Sequence, residues 1–324
     1  MQFKFLHLSD LHLALEPNRN ALHIGSPQND ILRRLFRLRL NRLFGTYSPD
    51  LARATAEFVL ENQASLDGLL ITGDVATTGL EEDLNVAKTF VAGPVIRGVS
   101  AMQGRPTLAA TSLPIFLIPG NHDRYATELG APGGFGFDNV FTEYWGGNSR
   151  LNHILFERGE GQLAVIGADF SLRSRKEASP PGSLGYLGQG KVDRETLERL
   201  VQRTISLQRD YSGIGILWAV HFPPNAPGIP NSLRLLRSVD LIDAAKSLAV
   251  THIISGHIHT DLTYSVRERG IPITIHCAHT ACSVSPGDGN GFQILDVETR
   301  DSGRVSISER RYVWDNFSSE FREN

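Results

Sequence analysis

The chain has 324 residues, 41% hydrophobic and 21% charged, with a formal net charge of -3. It is long enough for a well-buried core and ordinary in composition for a soluble globular protein. The slightly acidic balance argues against a general nucleic-acid binder, whose domain is usually basic.

Met1 to Ser9 alternates residues like a strand. It has no basic start followed by an apolar run and a small-residue cleavage site, so no signal peptide is expected. No stretch approaches the ~18 apolar residues that span a bilayer. With two cysteines, Cys277 and Cys282, and no CxxC pair, no disulfide framework is possible. They read as buried thiols of a reducing compartment, and a cytoplasmic protein is expected.

Along the chain, short apolar runs end in polar clusters. Lys4 to Leu8 ends at Ser9-Asp10, with His12 two residues on. Residues 15–48 then read as an insertion. Within it, residues 31–44 are both basic and apolar: Arg33, Arg34, Arg37 and Asn41 share one side of a helical wheel, and Leu32, Leu35, Phe36, Leu40 and Leu43 the other. Arg39 and Arg42 spoil the apolar side. The expectation is a helix packed over the domain or in a homo-oligomer interface; the alternatives are a membrane-surface contact or a substrate-gripping arginine cluster. A helix is predicted over 50–64, opened by the cap-like Ser48-Pro49-Asp50.

The pattern then repeats. Leu69 to Thr72 ends at Gly73-Asp74, and Ile115 to Ile118 ends at Pro119-Gly120-Asn121-His122-Asp123. Residues 124–150 and 171–190 read as further insertions within a single domain covering 1–324. Helices are predicted over 191–208 and 239–248. Ile214 to Val220 ends at His221, and His252 to Ser255 ends at Gly256-His257, with His259 following. Continuous apolar runs bounded by turn residues suit strands covered on both faces. Strands alternating with helices argue for an α/β protein, whose ligands gather beyond the carboxyl ends of the strands. After Thr260, Leu262–Val266, Ile271–Cys277, Phe292–Val297 and Val305–Tyr312 read as successive strands, expected to form a second sheet packed on the first.

Carboxylate, amide oxygen and imidazole make a mixed oxygen and nitrogen donor set. It suits manganese, iron, zinc or cobalt better than magnesium or calcium, and the missing thiolates argue against a structural zinc knuckle.

Asp10-Leu-His12, Gly73-Asp74, Gly120-Asn121-His122-Asp123, His221 and Gly256-His257-Ile-His259 resemble, in order, the five motifs of calcineurin-like metallophosphoesterases. The resemblance spans residues 3 to about 280. Each motif alone is weak; five in order at strand ends are specific. The resemblance implies a four-layer α/β/β/α sandwich, two central mixed β-sheets flanked by helices. It also implies two divalent or mixed-valence metal ions. Asp10, His12 and His259 would bind the first, Asn121, His221 and His257 the second, and Asp74 would bridge them. His122 would bind no metal and would face the scissile phosphate. The implied reaction is hydrolysis by a hydroxide held between the metals, with His122 assisting. For His7, His23, His153, His252, His276 and His279 a core or surface role is expected, with lining of the site a second reading for His279.

Motif variants narrow the substrate. In the Ser/Thr protein phosphatase branch the Gly-Asp motif continues to an Asp and an Arg, where Thr77 and Thr78 stand here, and Gly-Asn-His is followed by Glu rather than Asp123. Both departures favour small phosphodiesterases, similar to class III cyclic-nucleotide phosphodiesterases, so the expected substrate is a small phosphodiester such as a cyclic nucleotide. Arg124, the one basic residue beside a motif, either touches substrate or lies on the surface. The alternatives are a phosphomonoesterase or nuclease of the same superfamily, or a metal-binding scaffold without turnover. An intact His122 favours an enzyme.

Overall fold

The computed structural model describes residues 1–15, 46–93, 106–127, 131–145, 150–267, 270–284, 289–300 and 302–324. Segment 31–44 and nearly all of the predicted insertion 15–48 lie outside the described residues, as does His23.

The main strands are β1 Gln2–Leu8, β2 Gly68–Ile71, β3 Ile115–Leu117, β4 Leu151–Arg158, β5 Gly161–Ala168 and β6 Gly215–Val220. They continue with β7 His252–Ser255, β8 Leu262–Val266, β9 Ile273–Cys277, β10 Gly291–Thr299, β11 Val305–Asp315 and β12 Glu320–Glu323. One six-stranded sheet runs β12-β11-β10-β1-β2-β3, the other β8-β9-β7-β6-β5-β4. Each is mixed. In the first, β1, β2 and β3 are parallel and β10 is antiparallel to β1. In the second, β9, β7, β6 and β5 are parallel, with β8 and β4 antiparallel at the edges.

The period-2 side-chain alternation of these strands builds the layers. Leu163 and Val165 of β5, Leu217 and Ala219 of β6 and Ile254 of β7 join a core shared with the first sheet. Their neighbours Ala164, Ile166, Ile216, Trp218 and Ile253 point the other way, into a second core. Helices α4 (Arg194–Asp210) and α5 (Ser238–Ser247) cover that face through Leu200, Leu207, Leu241 and Ala245. Helices α1 (Pro49–Asn62) and α2 (Glu81–Ala92), with the short α3 (Gly136–Val140), contribute to the first core. The result is the expected α/β/β/α sandwich. At about 1.5–3 kcal/mol per fully buried large apolar side chain, these cores can offset the cost of the buried polar site at their edge.

Local signals explain the helix starts. Ser48 Oγ accepts the Leu51 N–H at 3.3 Å with Pro49 in the first turn. Asp193 caps α4 through the Thr196 N–H at 3.0 Å.

One expectation is corrected. The strands after Thr260 do not form a second sheet of their own. β8 and β9 extend the sheet that holds β6 and β7, whereas β10, β11 and β12 extend the sheet that holds β1. The motif-bearing strands are therefore divided between both sheets. The sequence shows where strands lie; pairing is set by long-range register, and β1 pairs with β10 across the whole chain, Phe3 opposite Val297. The β4–β5 hairpin and α2 were not foreseen.

Candidate metal centre

The parallel strands β1, β2 and β3 of one sheet and β6 and β7 of the other deliver their carboxyl ends to one cleft. Asp10 and His12 follow β1, Asp74 follows β2, Asn121 and His122 follow β3, His221 follows β6, and His257 and His259 follow β7. Backbone bonds hold the loops in place: Asp10 N donates to Gly73 O at 3.0 Å and His12 N to Asp74 O at 2.9 Å. Gly120 and Gly256 permit close approach, because a Cβ on the first would collide with the Asp74 carboxylate and on the second with Ser9 Oγ. Asp10, His12, Asp74, His257 and His259 all have φ between 50° and 72°. Non-glycine residues rarely adopt that left-handed region, and such strain clusters at functional sites.

All eight predicted site residues come together, each under 9% exposed. Three compact groups form among the described residues: Asp10, His12 and His259; His12, Asp74 and His122; and Asp74, His221 and His257. His12 and Asp74 each belong to two. His12 Nε2 and His259 Nε2 face each other at 3.1 Å, and His259 Nε2 is 3.2 Å from Asp10 Oδ1. His221 Nε2 lies 3.2 Å from Asp74 Oδ2 and 3.1 Å from Asn121 Oδ1. Its Nδ1 is held by Thr72 O at 2.8 Å.

These residues fit a cation. Two nearly fully buried carboxylates and facing imidazole nitrogens present lone pairs to one another, and His12 Nδ1 lacks a hydrogen-bond partner among the described residues. A buried carboxylate costs several kcal/mol unless paired or bound to metal. Burial pushes Asp10 and Asp74 upward, but their histidine neighbours, His259 for Asp10 and His221 for Asp74, hold both below the ordinary carboxylate range. Burial also lowers His221, but Asp74 raises it to about 9. His257 is pulled down to about 3 by burial and by His221. Nitrogen and oxygen donors without thiolate match borderline divalent metals.

Several residues were missed or misjudged. Asp123 is fully buried and accepts N–H bonds from Gly120 (2.9 Å), Ala76 (2.9 Å) and Val75 (3.3 Å), tying the Gly-Asp loop to the Gly-Asn-His loop. Burial and the nearby Asp74 push it up to about 7 against those donors. Arg124 is neither on the surface nor turned to the cleft. It is 4% exposed, pairs with Asp169 (2.9 Å) and Asp138 (2.8 Å), and packs over Phe137 and Trp145. Thr77 donates to His12 O and Thr78 to Asp83 Oδ2, so neither hydroxyl is turned to a ligand. His279 belongs to none of the three groups; its N–H donates to Asp261. His7 is buried between Thr72 and Gln293, His153 meets Arg203, and His252 meets His276, all outside the cleft. Leu187, Leu233 and Ile258 line the cleft, a small pocket of about 50 Å³. Ile258 sits within the Gly-His-Ile-His motif, but no motif marked Leu187 or Leu233.

The sequence matches the family model of calcineurin-like phosphoesterases over residues 3–261. The chain belongs to that family. Its members' chemistry agrees with the cleft: metal-dependent phosphoester hydrolysis by an aspartate and histidine site. No curated protein matches the chain in sequence. Among solved structures, a dimetal phosphatase from Danio rerio is similar in fold, with a TM-score of 0.55 and 13% identity over 96% of this chain and 95% of that one. A putative 5'-nucleotidase from Staphylococcus aureus aligns with a TM-score of 0.47 and 12% identity, over 95% of this chain and 53% of its own. GAP50 of Plasmodium, described as the anchor in the inner membrane complex, aligns at 0.48 and 11%, over 99% and 88%. None of the described helices is long and apolar enough to cross a membrane.

Proposed function

We propose that this phosphoesterase is dinuclear and hydrolyses a small phosphodiester, a cyclic nucleotide being one fitting class. The observation that carries the reading is the shared membership of Asp74, which joins His12 on one side and His221 with His257 on the other within ligand distance. Asp10, His12 and His259 are assigned to the first metal and Asn121, His221 and His257 to the second, with Asp74 common to both. Manganese, iron, zinc and cobalt all suit these donors. When bound, the metals supply positive charge to the phosphoryl oxygens and an activated water at neutral pH.

The chain's own residues do the rest. His122 Nδ1 is held by Thr77 O at 2.7 Å. A carbonyl only accepts, so Nδ1 carries the proton and Nε2 is the nitrogen left for substrate. Carrying a second proton there, His122 would donate it to the leaving oxygen. Leu187, Leu233 and Ile258 line the cleft and would limit water around the reacting atoms of a bound substrate. No lysine or arginine is among the described residues lining the cleft. That supports a monoanionic diester over a dianionic monoester, which calls for more fixed positive charge. A panel of cyclic and linear phosphodiesters, assayed with manganese and again after chelation, tests the reading. Turnover confined to the metal-loaded protein is expected. Two bound metals without turnover of any ester would favour a scaffold.

A further inference from the structure

Two loops roof the cleft, and one buried side chain fastens them together. Gln189 is 1% exposed. Its Oε1 accepts the Ser179 N–H at 2.8 Å, and its Nε2 donates to Ser179 O at 3.0 Å and to Asn231 O at 2.7 Å. Segment 171–190 is thereby tied to the turn Asn231–Leu233.

Each loop presents one backbone carbonyl to a residue of the cleft. Leu187 O accepts from Asn121 Nδ2 at 3.0 Å and from the Tyr125 hydroxyl. Leu233 O is 3.1 Å from His257 Nε2, which leaves Nδ1 of that ring for a metal. The Asn121 amide is fully specified. One of its hydrogens goes to Leu187 O and the other to the Tyr125 oxygen at 2.9 Å, so Oδ1 must face His221. A flipped amide would set Oδ1 against a carbonyl oxygen and a phenol whose single proton is already donated. Tyr125 packs with Leu172, Ala178, Tyr186 and Leu187, so the same segment that supplies the carbonyl also holds the ring.

The partners of Asp10 and His12 come from elsewhere. Thr280 Oγ1 donates to Asp10 O at 2.7 Å, the His257 N–H donates to Asp10 Oδ2 at 2.9 Å, and Thr77 Oγ1 donates to His12 O. None of these donors belongs to 171–190.

We infer that segment 171–190, acting through Tyr125, Gln189 and the Leu187 and Leu233 carbonyls, is a clamp that orients Asn121 and His257 and sets the affinity of the second metal position separately from the first. The inference rests on the proposed division of ligands between two metals. Tyr125 and Gln189 are positioning residues, since they touch the metals only through other side chains. Partners that orient metal ligands typically contribute about 10–100-fold in metal affinity.

The test uses the full chain, stripped of metal and titrated with manganese alone, followed by calorimetry and by the electron paramagnetic resonance of free, mononuclear and coupled manganese. Tyr125→Phe removes one oxygen and keeps the packing; Gln189→Met keeps the length and removes the clip. In both, one of the two binding steps should weaken by about 10–100-fold while the other step and the circular dichroism of the metal-free protein stay unchanged. Equal weakening of both steps in a folded Tyr125→Phe protein would mean general loosening and overturns the clamp, as does no change in either step. Should Gln189→Met fail to fold, Tyr125→Phe decides alone. A wild-type chain that takes up a single manganese would overturn the dinuclear reading itself.

Discussion

The Asp74 carboxylate accepts the His122 backbone N–H at 2.8 Å through Oδ1, while its Oδ2 stands 3.2 Å from His221 Nε2. His122 follows a strand of one sheet and His221 a strand of the other, so this single side chain joins the two halves of the cleft. Asp74→Asn separates its two roles. The amide oxygen can still accept from His122, but the NH₂ group then sits where Oδ2 faced His221, and it has no lone pair for a cation. The variant should stay folded and lose metal at one or both positions, as read by elemental analysis after gel filtration. Two metals per chain with wild-type activity in Asp74→Asn would refute the bridging role.

A diester preference follows from how the nearby polar side chains are used. Thr78 is bound to Asp83 and Arg124 to Asp138 and Asp169, so neither grips a phosphate. The comparison is kcat/KM on bis(p-nitrophenyl) phosphate against p-nitrophenyl phosphate, at equal manganese. The diester should be favoured. A consistent advantage for the monoester would place the chain in another branch of its family.

Much of the candidate site was legible because its residues are side chains of unusual type at fixed offsets from apolar runs. Asp10 and His12, or His257 and His259, stand two apart just past a strand, a pattern that a core or a surface has little reason to produce. What stayed hidden works through the backbone or through distance. The Leu187 and Leu233 carbonyls orient Asn121 and His257, yet any residue carries a carbonyl. Asp123 was visible as a motif letter, but its three N–H donors come from two loops that only the fold brings together. Arg124 was misjudged because Asp169, 45 residues away, supplies its partner. Sheet membership was misread for the same reason: β10 and β11 carry good strand patterns, but whether they join β1 or β7 depends on register across the whole chain.

The two sheets are also joined away from the cleft. Glu309 of β11 pairs with His276 of β9, which in turn meets His252 of β7 at 2.9 Å. Burial raises the Glu309 carboxyl, but the His276 hydrogen bond and charge overcome this and bring it from 4.5 down to about 2. A depressed folded-state pKa means stability that is present above pH 4.5 and lost as pH falls towards 2. The contribution is on the order of 1–3 kcal/mol. Thermal unfolding of the chelator-treated protein, so that metal loss plays no part, should show a melting temperature falling through that window. Glu309→Gln should be less stable at neutral pH and show a shallower fall below pH 4.5. Parallel curves for the two proteins would remove Glu309 from the acid transition.

The sharpest expectation concerns His122. Its ring stands edge-on to His12, with centroids 4.6 Å apart, and is held at Nδ1 by Thr77 O. It is close enough to His12 and Asp74 to be counted with them geometrically, so its role as a non-ligand needs a direct test. His122→Ala should keep both metals and the fold, because Asp74 is still anchored through the residue 122 backbone N–H, which alanine retains. What disappears is the proton donor at the leaving oxygen, and kcat should drop about 10²–10⁴-fold. The drop should be smaller for nitrophenyl esters, whose leaving group departs without a proton, than for an alkoxide such as a ribose oxygen. Equal losses on both would mean that His122 positions the phosphate rather than protonating the leaving group. Loss of metal along with activity would make His122 a ligand, and the seven-ligand assignment would have to be redrawn around it.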